Sequence, residues 1–384
     1  MNNNKITIVT SYTFPDDAAT ANRLSIFAEV LVKHGNYDLT VIGQGSKNRK
    51  FQVKNRPISV IQLKKRQFNK NKLFIRGFNE FIDSFRLLKL AKNTQADIYL
   101  ISIPSITLLL SSILIKKHKV IYDVRDLVWE YLLKSSGIKK YAGFAIRKVS
   151  LCILSKSLFL TVTNDTELYY FKKRNIPAVF KISNGISQEK FNKLASLNSK
   201  NYDNSKDYLL VYVGNVGFGQ NLKNIIDVIG NLRGFKLKVI GTGNDLQRLI
   251  SHVKDNNFKN ISFLGFKPWD EAMDHVKTAD CLLGQINSQF KTAVPSKIYE
   301  YAVTGRPVIF GLPEGPAKKI AERLSNFYVY DPSNIGEFNN LLLQLKSKVI
   351  DEAEVSINRN FVKKNFIREV EAKKLNTLIS EYRR

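Results

Sequence analysis

The sequence has few cysteines and few histidines, and this shortage excludes several kinds of site. Cys152 and Cys281 lie in apolar stretches, and their spacing matches neither a metal-binding motif nor a redox motif. The four histidines stand singly along the chain, so we expect no metal cluster. Two isolated thiols packed among apolar residues are typical of a protein of the reducing cytosol.

Signals for secretion, membrane insertion and dinucleotide binding are also missing. The first residues, MNNNKITIVTSY, lack the long apolar core of a signal peptide, so we expect none. Residues 98–115 carry no charge, but Pro104 divides them, which predicts a strand, a turn and a buried helix rather than a membrane span. The loop predicted at residues 12–22 lacks the Gly-rich fingerprint, so nothing there indicates NAD.

Acidic residues are scarce compared with basic ones. The 384 residues include 60 Lys and Arg against 33 Asp and Glu, which gives a formal net charge of +27. Such a surface attracts nucleic acid, an anionic membrane face or phosphorylated substrates, although a composition bias toward Lys would produce the same charge. Zinc spacing, an RNA-binding aromatic motif and a basic recognition helix are all missing, so we predict no nucleic-acid partner.

The chain contains two successive series of strands and helices. Its length and its hydrophobic fraction of 44% suffice for two cores. Residues 5–43 indicate a strand, a loop, a helix and a strand, and residues 207–245 repeat this order around glycine loops. The sequence thus predicts the α/β class, with two doubly wound domains joined by the polar segment 188–206. The predicted parts are residues 1–190, residues 205–365 and a C-terminal helix, 366–384, able to cross back to the first domain.

The stretch VPSKIYEYAVTGRPVIF, residues 294–310, predicts a loop, a short helix and a buried strand. Ser296 is expected to cap the helix, and Gly305 is expected to end it in the left-handed conformation. Lys297 and Glu300 are three residues apart, so they share one face of its first turns. Free N–H groups, the helix dipole and Lys297 suit a diphosphate, and Glu300 could accept hydrogen bonds from a ribose. A solvated Lys–Glu pair is the alternative.

A second candidate site follows the strand predicted over residues 119–131. In open α/β sheets, ligands bind at the C-terminal ends of the strands. One or two charges there would be ordinary, but four charged side chains and a tryptophan within eight residues predict a site. These residues are Asp123, Arg125, Asp126, Trp129 and Glu130. The next strand leads into a helix over residues 165–176, for which Asp165 is the expected cap.

Two basic segments are candidates for contact with a membrane. In residues 64–78 lysines and arginines alternate with aromatic and aliphatic side chains, and residues 134–148 enter an apolar and basic helix. This composition suits docking on an anionic membrane face. A solvated loop beside an amphipathic helix would account for it equally well.

The order of elements and several motifs resemble those of the GT-B glycosyltransferases, most closely the family-4 retaining type of bacterial surface-polysaccharide (O-antigen or capsule) assembly. The resemblance covers nearly the whole chain. It implies two Rossmann-like domains facing across a cleft, a UDP- or GDP-sugar donor, transfer of a hexosyl or N-acetylaminosugar group, and no metal cofactor. The motifs are PSKIYEYAVTGRPVI (295–309), YVGNVGFGQNL (212–222), ISNGI (182–186), VIGTGND (239–245), FLGFKP (263–268) and DVRDLVWE (123–130).

The resemblance also implies roles for single residues. Glu300 matches the second of the paired glutamates and would bind the ribose, whereas Thr292 stands in place of the first. Asn215 and Gln220 stand where many relatives have an Arg and a Lys that hold the diphosphate. The resemblance implies further donor-binding positions, which are Gly214, Gly217, Gly241, Gly243, Gly265, Phe266, Pro295, Ser296 and Lys297. Arg125 and Asp126 match the catalytic pair beside the transferring sugar. Arg23 and Asn184 fall on the acceptor or phosphate side.

The implied acceptor is a lipid-linked glycan at the inner leaflet of the cell membrane. We therefore expect a cytoplasmic enzyme, peripheral at the inner face of that membrane, whose partners are the nucleotide-sugar, the acceptor and the anionic membrane surface. Two alternatives are a sugar-nucleotide epimerase of the same architecture and a non-catalytic scaffold that has lost the glutamate at position 292.

Overall fold

The chain forms two compact units in the computed structural model. Unit 1 comprises Met1–Asn184 and Arg368–Arg384, and unit 2 comprises Gly185–Ile367. The chain thus changes units after Asn184 and after Ile367, not in the polar segment 188–206. The residues that the structure describes are 5–14, 19–45, 49–53, 56–64, 73–103, 105–116, 119–133, 136–198, 202–203 and 205–382.

The described residues of unit 1 are organised around a sheet of eight strands. They are β1 (Lys5–Thr13), β2 (Asp38–Gly45), β3 (Arg49–Val53), β4 (Arg56–Lys64), β5 (Ile98–Ile103), β6 (Val120–Val124), β7 (Phe159–Val162) and β8 (Val179–Lys181). Their order is β3-β4-β2-β1-β5-β6-β7-β8, and β3 pairs with β4 in antiparallel fashion while the other seven strands are parallel. Parallel neighbours require crossover connections, which the helices supply.

Helices cover both faces of this sheet. They are α1 (Ala19–Gly35), α2 (Leu73–Asn93), α3 (Ile106–Ser111), α4 (Val128–Leu133), α5 (Ile138–Leu154), α6 (Asp165–Lys172) and the C-terminal α15 (Arg368–Tyr382). Alternate residues of β5 enter different cores: Leu100 packs with side chains of α1 and α15, whereas Tyr99 and Ile101 pack with those of α2, α3 and α5. Because both faces are covered, the central strands are continuous apolar runs.

In its described part, unit 2 repeats the architecture with six parallel strands in the order β11-β10-β9-β12-β13-β14. Its strands are β9 (Tyr208–Val213), β10 (Phe235–Ile240), β11 (Ile261–Gly265), β12 (Cys281–Gln285), β13 (Val308–Gly311) and β14 (Phe327–Tyr330). Its helices are α7 (Gln188–Ala195), α8 (Lys223–Gly230), α9 (Leu246–Asp255), α10 (Trp269–Thr278), α11 (Lys297–Val303), α12 (Pro316–Ala321), α13 (Ile335–Leu345) and α14 (Glu352–Asn365).

Several local predictions are wrong, each for a physical reason. The segment predicted as a linker begins with α7, whose Phe191 and Leu194 are buried in the core of unit 2. The strand predicted over residues 119–131 ends at Val124, and α4 follows. The cap of α6 is Asn164, which accepts a hydrogen bond from the N–H of Glu167, and not Asp165, which lies within the helix.

Predictions about membrane segments and cysteines have mixed outcomes. Residues 98–115 form β5, α3 and a 3₁₀ turn (Ser112–Leu114) as predicted, with Pro104 outside the described residues. In the described part of the chain, no helix has the length and apolarity needed to cross a bilayer. Cys281 is buried, but Cys152 is exposed and not packed as predicted. Of the basic segments, residues 65–72 and 134–135 lie outside the described residues.

Candidate active site

The loops after β9 and β10 in unit 2 pack directly on each other. The N–H of Val216 donates to the carbonyl of Thr242 over 2.9 Å. A Cβ atom on Gly241, whose φ is 139°, would lie 1.8 Å from the Gly214 carbonyl oxygen, and one on Gly243 would lie 2.1 Å from that of Val216. Only glycine permits this approach of two backbones. The predicted glycine positions therefore meet at the C-terminal edge of the sheet.

The loop after β11 joins this edge. The N–H of Gly241 donates to the carbonyl of Gly265 over 2.8 Å, and Gly265 has a φ of 68°. The next side chain, Phe266, is 65% exposed. Three consecutive strand ends thus converge at one edge, where open α/β sheets bind ligands.

We call the loop after β9, residues 214–221, the β9 loop. Side-chain amides hold it in place, and its sequence contains no Lys or Arg. The Asn215 side chain donates to Oε1 of Gln220 over 2.8 Å, so the two residues predicted near the diphosphate bind each other. Gly217 lies between them, since a Cβ there would be 2.7 Å from Asn215 Nδ2. Asn244, which the sequence analysis missed, accepts from the N–H of Phe218 over 3.2 Å. The loop thus presents backbone N–H groups and neutral amides.

Gln285 is a second residue that the sequence analysis missed. It ends β12, is 3% exposed, and donates from Nε2 to the carbonyls of Gln220 and Asn221, each over 2.7 Å. Tyr330 of β14 donates its hydroxyl to Oε1 of Gln285. The β9 loop is therefore tied to the other half of the sheet. A lone amide at the end of the apolar run CLLGQ was the available signal.

Helix α11 carries the Lys297–Glu300 pair that the sequence predicts. Lys297 Nζ lies 2.7 Å from Glu300 Oε2, and the side chains are 24% and 7% exposed. Gly305 has a φ of 72°, which confirms the predicted left-handed residue after the helix. The predicted cap is wrong: Ser296 has helical dihedral angles and its side chain makes no capping bond, whereas a capping residue needs extended backbone.

Tyr301 fixes α11 beside the β9 loop. Its hydroxyl donates to the carbonyl oxygen of Val213 over 3.2 Å and accepts from the N–H of Val213 over 3.0 Å. Val213 directly precedes Gly214, so Glu300 stands next to a residue anchored at the start of the loop. Burial raises the pKa of the Tyr301 phenol, which therefore stays protonated.

The segment between β12 and α11 also borders this edge. Its 3₁₀ turn (Ser288–Phe290) is preceded by Asn287, whose N–H donates to the carbonyl of Gly219 over 2.7 Å. A Cβ on Gly219 would lie 3.0 Å from the Phe290 ring. Thr292, Pro295 and Ser296 follow and are partly exposed. The structure thus brings together the donor-binding residues predicted in unit 2.

In unit 1, the candidate site is built on a buried ion pair. Asp123 at the end of β6 is fully buried, and Arg23 of α1 is 5% exposed. Arg23 Nη2 lies 2.8 Å from Asp123 Oδ1 and its Nε lies 3.1 Å from Oδ2, while Thr161 donates to Oδ1 over 2.7 Å. Arg23 Nη1 reaches the side chain of Asn184 over 3.2 Å. The predicted residues Arg23 and Asn184 are thus neighbours, but the charge of Arg23 is balanced by Asp123.

The electrostatics of this pair keep Asp123 ionised. Burial alone would raise the pKa of its carboxyl group, but the charge and hydrogen bonds of Arg23, the charge of Arg125 and the Thr161 hydroxyl outweigh it and hold that pKa below its ordinary value. Burial lowers the pKa of the Arg125 guanidinium, and Asp123 opposes this effect. Arg125 and Asp126 are themselves partly exposed after β6.

The cluster predicted after β6 divides into two groups. Trp129 is fully buried and donates from its indole nitrogen to the Tyr170 hydroxyl over 2.9 Å, so it belongs to the core. Glu130 accepts from the Tyr170 hydroxyl over 2.5 Å and lies 3.9 Å from Arg147. Arg125 and Asp126 remain as site candidates, and both act electrostatically on Tyr12, which the sequence analysis missed.

Glu167 is a further buried acid near this edge, and the sequence analysis missed it. Its Oε2 accepts from the N–H and the hydroxyl of Thr163, each over 2.8 Å, and it is 1% exposed. Burial raises its pKa to about 7, against the hydrogen bonds of Thr163, and Asp126 adds to the increase. No group of three or more His, Cys, Asp or Glu side chains suited to a metal ion occurs among the residues that the structure describes.

Comparison with known proteins gives this geometry its context. Residues 196–360 match the sequence model of the family described as glycosyl transferases group 1. A segment of 111 residues is 31% identical to WcaI of Escherichia coli (strain K12), a protein named for glycosyl transfer in colanic acid biosynthesis; it covers 28% of this chain and 27% of that relative. The chain thus matches only about a quarter of the relative's length.

Among the solved structures that match, two illustrate a likeness that covers nearly the whole chain. Sucrose-phosphate synthase from Thermosynechococcus elongatus superposes with a TM-score of 0.74 at 13% identity, covering 98% of each chain. HepE from Anabaena, solved in complex with UDP and glucose, gives a TM-score of 0.64 at 12% identity, covering 98% of this chain and 99% of that one. At such identities the likeness establishes the fold. The family match is confined to residues 196–360, within unit 2, and the likeness to the solved structures gives the chain the GT-B fold of two Rossmann-like domains.

Proposed function

We propose that the protein transfers a sugar from a nucleotide-sugar to a lipid-linked glycan, with retention of configuration, in the assembly of a cell-surface polysaccharide. The observation that carries this proposal is the convergence of the β9, β10 and β11 loops beside the Lys297–Glu300 pair. WcaI is named for glycosyl transfer in colanic acid biosynthesis, and HepE was solved with UDP and glucose, and both names support a nucleotide-sugar as the donor.

The donor would bind at this edge of unit 2. Glu300 holds one carboxylate oxygen on Lys297, and a carboxylate can accept several hydrogen bonds, which suits the two hydroxyls of a ribose. Lys297 would share its charge with the diphosphate. Because the β9 loop holds the neutral pair Asn215 and Gln220, its backbone N–H groups would supply the other contacts to the phosphates.

The departing diphosphate would be stabilised mainly by fixed dipoles and by Lys297. Preorganised donors of this kind stabilise charge that develops in a transition state without having to reorient. The bond between the sugar and the phosphate breaks as the acceptor hydroxyl attacks from the same face. The leaving phosphate oxygen takes the hydroxyl proton, so retention requires no separate protein base. No metal ion is required in this scheme.

Unit 1 would supply the acceptor side. Arg125 and Asp126 stand partly exposed at the end of β6, behind which the buried Arg23–Asp123 pair fixes the backbone. We assign to Arg125 and Asp126 the orientation of the sugar and the acceptor. Arg23 has a structural role in this scheme, because its guanidinium is buried and already bound to a carboxylate.

The test is a nucleotide-release assay with a panel of UDP- and GDP-sugars, with and without a polyprenyl-diphosphate-linked acceptor, in buffer containing EDTA. We expect one donor to be consumed in an acceptor-dependent way. Glu300→Gln should raise the donor Kd about tenfold or more, since a hydrogen bond to a charged group contributes about 1.5–3 kcal/mol. Glu314→Gln is the matched control, because Glu314 is 80% exposed and also pairs with a lysine.

Three results would contradict the proposal. Donor binding without transfer to any acceptor would indicate a scaffold. Conversion of the nucleotide-sugar into an epimer without release of nucleotide would indicate an epimerase. Unchanged donor affinity in Glu300→Gln would show that the assigned donor site is wrong.

A further inference from the structure

The segment between β12 and α11 contains no acidic side chain, although it borders the edge of unit 2 where the donor is proposed to bind. We call residues 286–296 the β12 segment. The β9 loop beside it contains no Asp or Glu either. A carboxylate is the side chain best able to accept hydrogen bonds from several hydroxyl groups at once. Along these two segments a bound sugar would therefore meet no carboxylate before Glu300, which is assigned to the ribose.

Contacts along its length hold the β12 segment in place. At its start, the N–H of Asn287 donates to the carbonyl of Gly219 in the β9 loop over 2.7 Å. In its middle, a Cβ atom on Gly315 would lie 2.0 Å from the carbonyl oxygen of Lys291, so the loop after β13 lies directly against its backbone. Near its end, Val294 packs against the core of unit 2. The segment is therefore a formed wall with a fixed composition.

The amide side chains of this edge already use their oxygens within the protein. Oε1 of Gln220 accepts from Asn215 over 2.8 Å, and Oδ1 of Asn244 accepts from the N–H of Phe218 over 3.2 Å. Oδ1 of Asn287 accepts from the N–H two residues later over 3.1 Å. Each of these oxygens offers a sugar hydroxyl no more than one remaining lone pair. The edge is thus poor in acceptors for hydroxyl groups.

The largest side chain that the β12 segment exposes is aromatic. Phe290 is 37% exposed, and its ring lies against the β9 loop, since a Cβ atom on Gly219 would be 3.0 Å from it. Ala293, Val294 and Pro295 follow and are partly exposed. Apolar groups of this kind gain from contact with a methyl group, whereas they give a buried hydroxyl no hydrogen-bond partner. The wall therefore favours a ligand with an apolar substituent.

The transferred sugar would lie against this wall. Lys297 is the first residue of α11, one turn before Glu300. A donor whose ribose lies on Glu300 and whose diphosphate lies on Lys297 and the β9 loop continues toward the residues that precede the helix. In a nucleotide-sugar the transferred sugar follows the diphosphate, so it reaches the β12 segment. This step rests on the proposed function.

We propose that the transferred sugar is a 6-deoxy sugar and that Phe290 is the residue that selects it. Removal of an oxygen atom from a hexose leaves a methyl group projecting from the ring only when the oxygen is that of C6. This methyl group would pack on the Phe290 ring. The methyl group of an acetamido substituent is a poorer match, because the amide beside it needs hydrogen-bond partners of its own.

Pairs of donors that differ by one oxygen atom test the proposal. GDP-L-fucose and GDP-L-galactose form one pair, and UDP-N-acetylquinovosamine and UDP-N-acetylglucosamine form the other. In isothermal titration of the full chain, we expect the 6-deoxy member of at least one pair to bind about ten- to one-hundredfold more tightly than its partner. The upper value follows because an apolar pocket rejects an added hydroxyl group by about one-hundredfold.

Two variants should reduce this preference about tenfold by giving the C6 hydroxyl a partner. Phe290→Tyr keeps the ring that packs on Gly219 and adds a hydroxyl group. Thr292→Glu adds a carboxylate to the same wall. The matched controls lie in unit 1: Phe85→Tyr, at a side chain that is 44% exposed, and Thr377→Glu, at an exposed position of α15. Both controls should keep the preference of the wild type.

Titration with free UDP and GDP separates the choice of sugar from the proposed function. If one nucleotide binds but the members of both pairs bind equally, or the 6-hydroxy member binds more tightly, the donor site stands and the 6-deoxy sugar is refuted. An unchanged preference in both Phe290→Tyr and Thr292→Glu would likewise overturn the role of this wall. If neither nucleotide binds, the donor site is refuted and the choice of sugar with it.

Discussion

Replacement of Arg23 by methionine should lower the free energy of unfolding of unit 1 by an amount that the buried ion pair with Asp123 determines. Arg23 donates to both carboxylate oxygens of the fully buried Asp123, and Met has a similar length without the charge. Removal of one partner leaves an uncompensated buried charge, which typically costs about 3–5 kcal/mol. With a urea m-value of about 2 kcal/mol per M, the unfolding midpoint of unit 1 should fall by roughly 1.5–2.5 M.

The assay is urea unfolding followed by circular dichroism. Lys206→Met is the control, because Lys206 pairs with Asp203 over 2.8 Å at an exposed position, and it should leave the midpoint unchanged. The double variant Arg23→Met/Asp123→Leu should be more stable than Arg23→Met, since it no longer contains a buried carboxylate without its partner.

The effect of Arg23→Met should also depend on pH. The lowered pKa of Asp123 contributes stability above about pH 4 that is lost as the pH falls through the folded-state pKa, so the loss of stability caused by Arg23→Met should become smaller in acid. A loss below about 1 kcal/mol at pH 7 would refute the reasoning.

Three further predictions concern both units. Gly241→Ala should lower the thermal stability of unit 2 and abolish donor binding, because the added Cβ atom would lie 1.8 Å from the carbonyl oxygen of Gly214. Gly77→Ala is the control and should be neutral or stabilising, because a Cβ atom there would meet no other atom within 4 Å. Tyr301→Phe should cost about 1–3 kcal/mol in urea unfolding and weaken nucleotide binding through loss of both bonds to Val213, with the exposed Tyr141→Phe as the neutral control. Glu167 has a pKa raised to about 7 in the folded state, so its protonated form is the favoured one. The stability of the wild type relative to Glu167→Gln should therefore fall by about 3 kcal/mol between pH 4.5 and pH 7 and stay level above, and a flat difference would contradict that pKa.

The architecture could be predicted from the sequence because it depends on long-range repetition. Apolar runs of strand length alternate with amphipathic helices, and this pattern indicates a doubly wound sheet without knowledge of any contact. The same holds for Gly305, whose position after α11 predicts its left-handed conformation. Lys297 and Glu300 could be paired because helical spacing alone brings them onto one face.

The errors arose where tertiary packing decides between local options. Ser296 and Asp165 both have capping chemistry, but the backbone at Ser296 is already helical and Asn164 takes the capping role at α6. Trp129 was predicted as a site residue because it stands among four charged side chains within eight residues, yet the strand ends five residues earlier and the ring enters the core.

Residues that support the site from a distance in sequence escaped prediction altogether. Gln285 contacts the β9 loop and Tyr301 contacts the end of β9, each from 64 or more residues away along the chain. Gln285 ends an apolar stretch and Tyr301 directly follows Glu300, and neither position indicates which distant backbone group the side chain binds. Such long-range hydrogen bonds become visible only when the sheet order is known.

The central claim is that Glu300 and Lys297, held beside the β9 loop, bind the nucleotide of a nucleotide-sugar. Isothermal titration of the full chain with UDP and with GDP tests it most directly. We predict that one of the two binds to the wild type and to Glu314→Gln with the same affinity, and at least tenfold more weakly to Glu300→Gln. Equal affinities for all three proteins, or no binding of either nucleotide, would contradict the account.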